Sequence, residues 1–294
     1  MIYRFSNIIA VYCLCTLFFM HSVAATGNST EAEIGASILL ARNSMDIGKL
    51  DEWVQHFEED KTELKASQQY YYLSFLHLSI DIHFLNTDEQ TKAFAHLNNA
   101  LSYINKSLKF AASAETLILK AHLVDFQILF ESSRTTELLH IFWHCLDQAQ
   151  EIDLDNPRYY LVQGLHLYFA PSFAGGDIQL AKQNLQKAVH LFATNIEAQK
   201  FYVPWGYEDA LAWLGQIAVQ QDSLELALNF YNQALSVNDN FGWVKYKLLP
   251  ELKSRIDFSQ SIIGIIMRFL GIIIVLLLLI SGLLWSIKVK IIKI

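Results

Sequence analysis

No acidic residue occurs in the first 25 or the last 34 positions of this 294-residue chain, so all 29 Asp and Glu lie between residues 26 and 260. Five of the 22 basic residues (Arg4, Arg268, Lys288, Lys290 and Lys293) fall in those ends, leaving 17 against 29 in the middle and a local charge of −12. Phosphate-backbone binding needs clustered Lys and Arg, so a nucleic-acid partner is excluded. The chain has three cysteines, two of them (Cys13 and Cys15) in the N-terminal apolar run. Removal of that run leaves Cys145 alone, which excludes an intrachain disulfide framework and makes Cys145 a buried apolar packer. Stability must then come from core burial, for which this length is ample. No proline precedes Pro157, so long helices are unobstructed there. The twelve glycines are scattered apart from Gly175-Gly176, and no GxGxxG, phosphate-binding glycine loop or GxSxG occurs. Nucleotide binding and serine hydrolysis thereby lose their main signals, and no cofactor is expected.

What is present is a hydrophobic content of 53 %, high for a soluble globule and concentrated at the ends. A basic start at Arg4, an apolar run from Ile8 to Met20 and the small residues Ser22-Val23-Ala24-Ala25 read as a secretory signal over 1–25, cleaved after Ala25 or Ala24. An uncleaved anchor helix is the alternative. Residues 262–287 contain the uncharged stretch Phe269 to Ile287, long enough to cross about 30 Å of hydrocarbon as a helix. A transmembrane helix is expected there, with 288–294 as a short cytoplasmic tail, Trp285 at the interface and residues 26–260 outside the cytoplasm, most simply in a bacterial periplasm. Gly282 and Ser286 form a small-xxx-small pair that would let two such helices pack as a homodimer.

Between the ends, apolar residues recur at 3.6 spacing, which predicts an all-α domain with helices near 31–42, 47–59, 66–85, 89–109, 114–132, 136–152, 157–170, 178–192, 207–220, 223–236 and 241–256. Asp88, Asn156-Pro157, Gly175-Gly176-Asp177 and Asp222-Ser223 punctuate them. Aromatics at helical spacing, such as Tyr70-Tyr71-Tyr72 and the group Tyr159, Tyr160, Tyr168 and Phe169, are expected in the core ahead of a ligand surface.

An internal repeat follows the helix pairs. Leu211, Leu214 and Gly215 followed by Ala227, Tyr231 and Ala234 set small residues where two helices cross and a tyrosine where the gap must be filled. The unit before repeats the pattern with Tyr160, Gly164, Ala181, Leu185 and Ala188. Ala93/Leu97/Ala100 and Phe142/Leu146/Ala149 keep second-helix traces of it. These residues resemble the tetratricopeptide-repeat family, most clearly over 157–192 and 207–240, and the stretch 157–252 looks like exported bacterial members of it. The Gly-Gly-Asp loop is also similar to that of the tetratricopeptide component accompanying some tripartite solute transporters. The resemblance implies a superhelix of helix pairs with a concave groove and no shared chemistry. It implies a membrane-anchored protein-interaction or scaffold module with a protein or peptide partner in the cell envelope. The alternative is a small-ligand-binding or transporter-accessory protein, distinguished by a groove that closes into an apolar pocket.

In the repeat geometry the first helix of each pair lines the groove. Counting from Gly164 and Gly215 puts Arg158, Leu165, Tyr168, Asp209, Ala212, Trp213, Gln216 and Val219 there, with Trp213 and Tyr168 as anchors and Arg158 or Gln216 as clamps. As surface residues, Arg158 and Gln216 should tolerate substitution with little change in stability. An enzymatic reading would rest on His140 and His144, one helical turn apart, but no Glu lies between them and Cys145 points elsewhere, so no metal site and no catalytic residue is assigned and the two histidines are read as packing residues.

Overall fold

The computed structural model describes residues 30–59, 64–195 and 202–292, largely as backbone beyond Ile262. The segment 1–25, with its signal-like pattern, lies outside the described residues. So do most side chains of the expected membrane run and the end of the tail. No helix formed by the described residues is long and apolar enough to cross a membrane.

The described residues form eleven α-helices and no strand. They are α1 (Glu31–Asn43), α2 (Ile47–Glu58), α3 (Ala66–Asn86), α4 (Gln90–Phe110), α5 (Ala114–Phe130), α6 (Thr135–Ile152), α7 (Pro157–Phe169), α8 (Ile178–Thr194), α9 (Tyr207–Gln220), α10 (Leu224–Val237) and α11 (Leu249–Ile292). Their starts have local causes. Thr30 and Glu33 cap each other's backbone N–H groups at α1. Asp46 caps α2, Asn156 caps α7 with Pro157 in its first turn, and Asp177 accepts from both Gln179 and Leu180 at α8. Asp88 stands ahead of α4 and Asp222 between α9 and α10, as expected, and both turn the chain in the left-handed conformation (φ 61° and 55°), which aspartate tolerates better than most residues.

Helices α3/α4, α5/α6, α7/α8 and α9/α10 pack as consecutive pairs. The small and apolar second-helix positions of the repeat are what let them approach. Ala93, Leu97, Ala100, Phe142, Leu146, Ala149, Ala181, Leu185, Ala188, Ala227 and Ala234 are all fully buried. A methyl group on Gly215 would lie 2.2 Å from the Tyr231 ring, so the tyrosine occupies the space that glycine leaves open. Cys145 sits in the core, where burial pushes its thiol up.

At the C-terminal end the expected break after residue 256 is absent, and α11 runs without interruption to Ile292. Pro250 cannot donate to the carbonyl four residues back. The turn before it widens into a π-helix, Trp243–Leu248, closed by Leu249 N–H donating to the Val244 carbonyl. Leu252 is the last buried residue among the described side chains of α11, and Ile256 packs beside it.

Asp81 on α3 is wholly buried, and neither carboxylate oxygen has a partner among the described residues. Burial pushes its carboxyl up to about 7. Between about pH 4, where the group ionises in the unfolded chain, and pH 7, the folded form holds the extra proton, so stability is highest at low pH and falls as pH rises through this window. Asp81→Asn removes the cost of charging. We expect the variant to melt close to wild type at pH 4 and about 1–2 kcal/mol more stable at pH 8, read from thermal melts at the two values.

Candidate functional site

The first helices of the pairs, α3, α5, α7 and α9, together with the π-helical turn, surround a concave cavity of about 1030 Å³. Its aliphatic lining comes from Ile82, Ile128, Leu161 and Leu165, and its aromatic lining from Phe126, Phe169, Trp213, Trp243 and Tyr246. Trp213 is the centre of the aromatic side, its ring 4.9 Å from both Phe169 and Trp243 and 5.2 Å from Tyr168. Phe169 and Tyr246 are largely exposed and stand at the mouth, whereas Leu161, Asn43, Trp205, His166 and Asp209 are buried and stand deep.

The stretch Tyr202–Gly206, which leads into α9, reaches the deep end of the cavity through Trp205. Val203 and Trp205 are core residues. The Trp205 indole donates to the Tyr71 hydroxyl, the Tyr72 hydroxyl donates to the Tyr202 carbonyl, and Arg158 donates to the carbonyls of Val203 and Trp205. A methyl group on Gly35 would fall 1.6 Å from the Tyr202 carbonyl oxygen, so α1 is free of side chain where this connector crosses it. The inserted backbone is thus satisfied by groups from α3 and α7.

The deep end carries paired charges. Arg42 at the end of α1 grips Asp209 through two bonds of 2.8 and 3.1 Å, and Asn43 donates to Glu208 at 2.7 Å. Burial and the adjacent Asp209 push the Glu208 carboxyl up. Asp125 lies 2.7 Å from Nδ1 of His166. His122, on the same face of α5 as Asp125, stacks on Trp205 at 5.9 Å and 9° and meets the Phe126 ring edge-on at 5.1 Å. Burial pushes this imidazole down to about 4, so it is neutral at physiological pH.

Of the residues assigned to the groove from sequence, Leu165, Asp209, Trp213 and Gln216 line the cavity, Gln216 also donating to the Tyr231 hydroxyl. Tyr168 stands outside the lining and braces Trp213, its hydroxyl accepting from Gln220. Ala212 is sealed in the core and Val219 packs against it. Arg158 is a correction: it is fully buried, ion-paired with Glu115 at 2.9 Å, because the connector occupies the part of the concave side that the first turn of α7 faces. His140 and His144 are a second correction, since both lie exposed on α6 and neither packs. The sequence reading missed Arg42, His122, Asp125 and Trp205. The unusual composition of Tyr202-Val203-Pro204-Trp205-Gly206, apolar yet without helical period, was the one available signal.

Neither a family model nor a curated protein matches this chain. Among solved structures it is similar to the HusA haemophore from Porphyromonas gingivalis, with 19 % identity and a TM-score of 0.50 over 62 % of this chain and 92 % of that one. At that identity the likeness speaks for the fold.

Proposed function

We propose that the chain is a membrane-anchored, extracytoplasmic binding module whose concave cavity holds one bulky, flat, largely apolar molecule. The observation that carries this reading is a cavity of about 1030 Å³ with exposed aromatic residues at its mouth and buried residues, Trp205 among them, at its deep end. Small-molecule sites are concave, mostly apolar and furnished with a few placed polar groups. A tetratricopeptide-like groove that takes an extended peptide would be open along its length. Here the connector Tyr202–Gly206 fills part of it, which favours a compact ligand over the protein-docking role that the repeats suggest. The fold is shared with a protein named as a haemophore, and a porphyrin has the size and flatness this cavity suits. The apolar stretch Phe269 to Ile287 supplies the anchor in this reading, and the part of α11 from Leu249 to Phe269 would hold the cavity about 30 Å away from it.

The test is a titration of the full chain in lipid nanodiscs with metal-free protoporphyrin and with pyrene, followed by quenching of tryptophan emission. Trp213→Ala removes the central ring of the aromatic side. We expect it to weaken binding about 30-fold, the size of an aromatic hot spot of roughly 2 kcal/mol. Binding unchanged in Trp213→Ala would place the ligand elsewhere.

A further inference from the structure

Resting on the cavity reading, we infer that its ligand seats an uncharged hydrogen-bonding end, a hydroxyl or an amide, against His122. Two features of the deep end lead here. The first is that the charged groups there already have partners. Arg42 is held by Asp209 through both of its terminal nitrogens, and Asp125 is held by His166. A carboxylate brought to this depth would be desolvated where Arg42 is already engaged by Asp209, and an ammonium where Asp209 and Asp125 are already engaged by Arg42 and His166, so either ionised end lacks a free partner. The remaining titratable lining residues, His83, Tyr246, Lys247 and Glu251, are partly or wholly exposed to solvent and leave the deep end as it is.

The second feature is His122 itself. Its Nδ1 is sealed from solvent without a partner among the described residues, so the nitrogen an incoming group can reach is Nε2, on a ring that lines the cavity and lies against the Trp205 face and the Phe126 edge. A partly exposed imidazole nitrogen on the wall of an apolar cavity is a hydrogen-bonding group that an entering molecule can engage. In a neutral imidazole Nε2 is a donor or an acceptor according to the tautomer, so it serves a hydroxyl or an amide equally well. The ring contacts fix its orientation, and its hydrogen-bonding capacity is left to whatever enters the cavity. The apolar body of the ligand then lies outward along Phe126, Phe169, Trp213 and Trp243.

Three probes with one ring system separate the possibilities: pyrene, pyrenemethanol and pyrenecarboxylate, titrated into the full chain in nanodiscs. Energy transfer from tryptophan is read, with nanodiscs lacking the chain as baseline. Wild type is expected to bind pyrenemethanol about fivefold more tightly than pyrene, the worth of one net hydrogen bond, and pyrenecarboxylate more weakly than pyrene. His122→Phe keeps the ring contacts and should erase the pyrenemethanol preference, read as the ratio of the pyrenemethanol and pyrene affinities in the variant. His122→Asn keeps a hydrogen-bonding edge and should retain the preference. Equal affinity for the three probes in wild type, or a preference that survives His122→Phe, overturns the inference and leaves the cavity reading standing. If no probe binds at all, the cavity reading itself fails, and this inference with it.

Discussion

Arg158→Ala lowers the melting temperature by about 10 °C, a loss of roughly 3–5 kcal/mol for a domain of this size. The guanidinium is fully buried and makes three kinds of contact at once: an ion pair with Glu115, hydrogen bonds to the Val203 and Trp205 carbonyls, and approaches to the rings of Phe192 and Trp205 at 5.6 and 5.5 Å. Truncation leaves Glu115 buried with its charge and with Asn156 as its remaining donor. Removing one member of a buried pair costs more than the pair contributes. The double change Arg158→Met with Glu115→Gln should therefore recover part of the loss, though only part, because the two connector carbonyls still lack their donor. Thermal melts of the three variants give the comparison. A melting temperature within 2 °C of wild type for Arg158→Ala would mean that the side chain is solvated, as a groove residue would be.

Trp205→Ala should be as costly, about 3–5 kcal/mol, for a different reason. This indole is buried and fills the space between Phe75 and His122, with ring centroids 5.9 Å away on each side, and it donates to Tyr71. Few side chains could move in to refill so large a space, so most of the transfer and contact energy is lost. Trp205→Phe keeps much of the packing and forfeits the bond to Tyr71, so an intermediate loss of about 1–2 kcal/mol is expected. Urea denaturation midpoints order the three proteins. In the surviving fraction of Trp205→Ala, porphyrin affinity should fall as well, since the back of the cavity has been removed. A truncation that lowers stability and leaves affinity intact would detach the connector from the site.

The helices were legible because their causes are local. Apolar spacing of 3.6 and capping residues such as Asn156 and Asp177 act within one turn, and a chain read residue by residue displays them. The pairing was legible through Gly215 and Tyr231 for a similar reason: a missing side chain on one helix and a large one on its neighbour report the same contact from both sides. The back of the cavity was not. Val203 and Trp205 are buried by Arg158, Tyr71 and Tyr72, which lie some 45 to 134 residues away, and no spacing rule carries that information. Arg158 was misplaced by the same gap, since an arginine on the inner side of a first helix faces solvent only when nothing is inserted opposite it. The pairing of Arg42 with Asp209 likewise joins the first described helix to the ninth, and each residue alone resembles an ordinary surface charge.

That last contact changes how the molecule must assemble. In a stack whose units touch only their neighbours, stability accumulates unit by unit, and an end frays while the middle holds. Here hydrogen bonds span 167 residues from Arg42 to Asp209, 165 from Asn43 to Glu208 and 130 from Tyr72 to Tyr202. The first unit cannot melt without unseating α9, so equilibrium unfolding should proceed as one transition with no frayed intermediate. Folding is correspondingly delayed, because the loop-closure entropy of these distant contacts falls due before they give anything back. On the ribosome, the inner faces of α3, α5 and α7 stay uncovered until residues 202–209 emerge, and until then the nascent chain presents an apolar surface for a chaperone to hold.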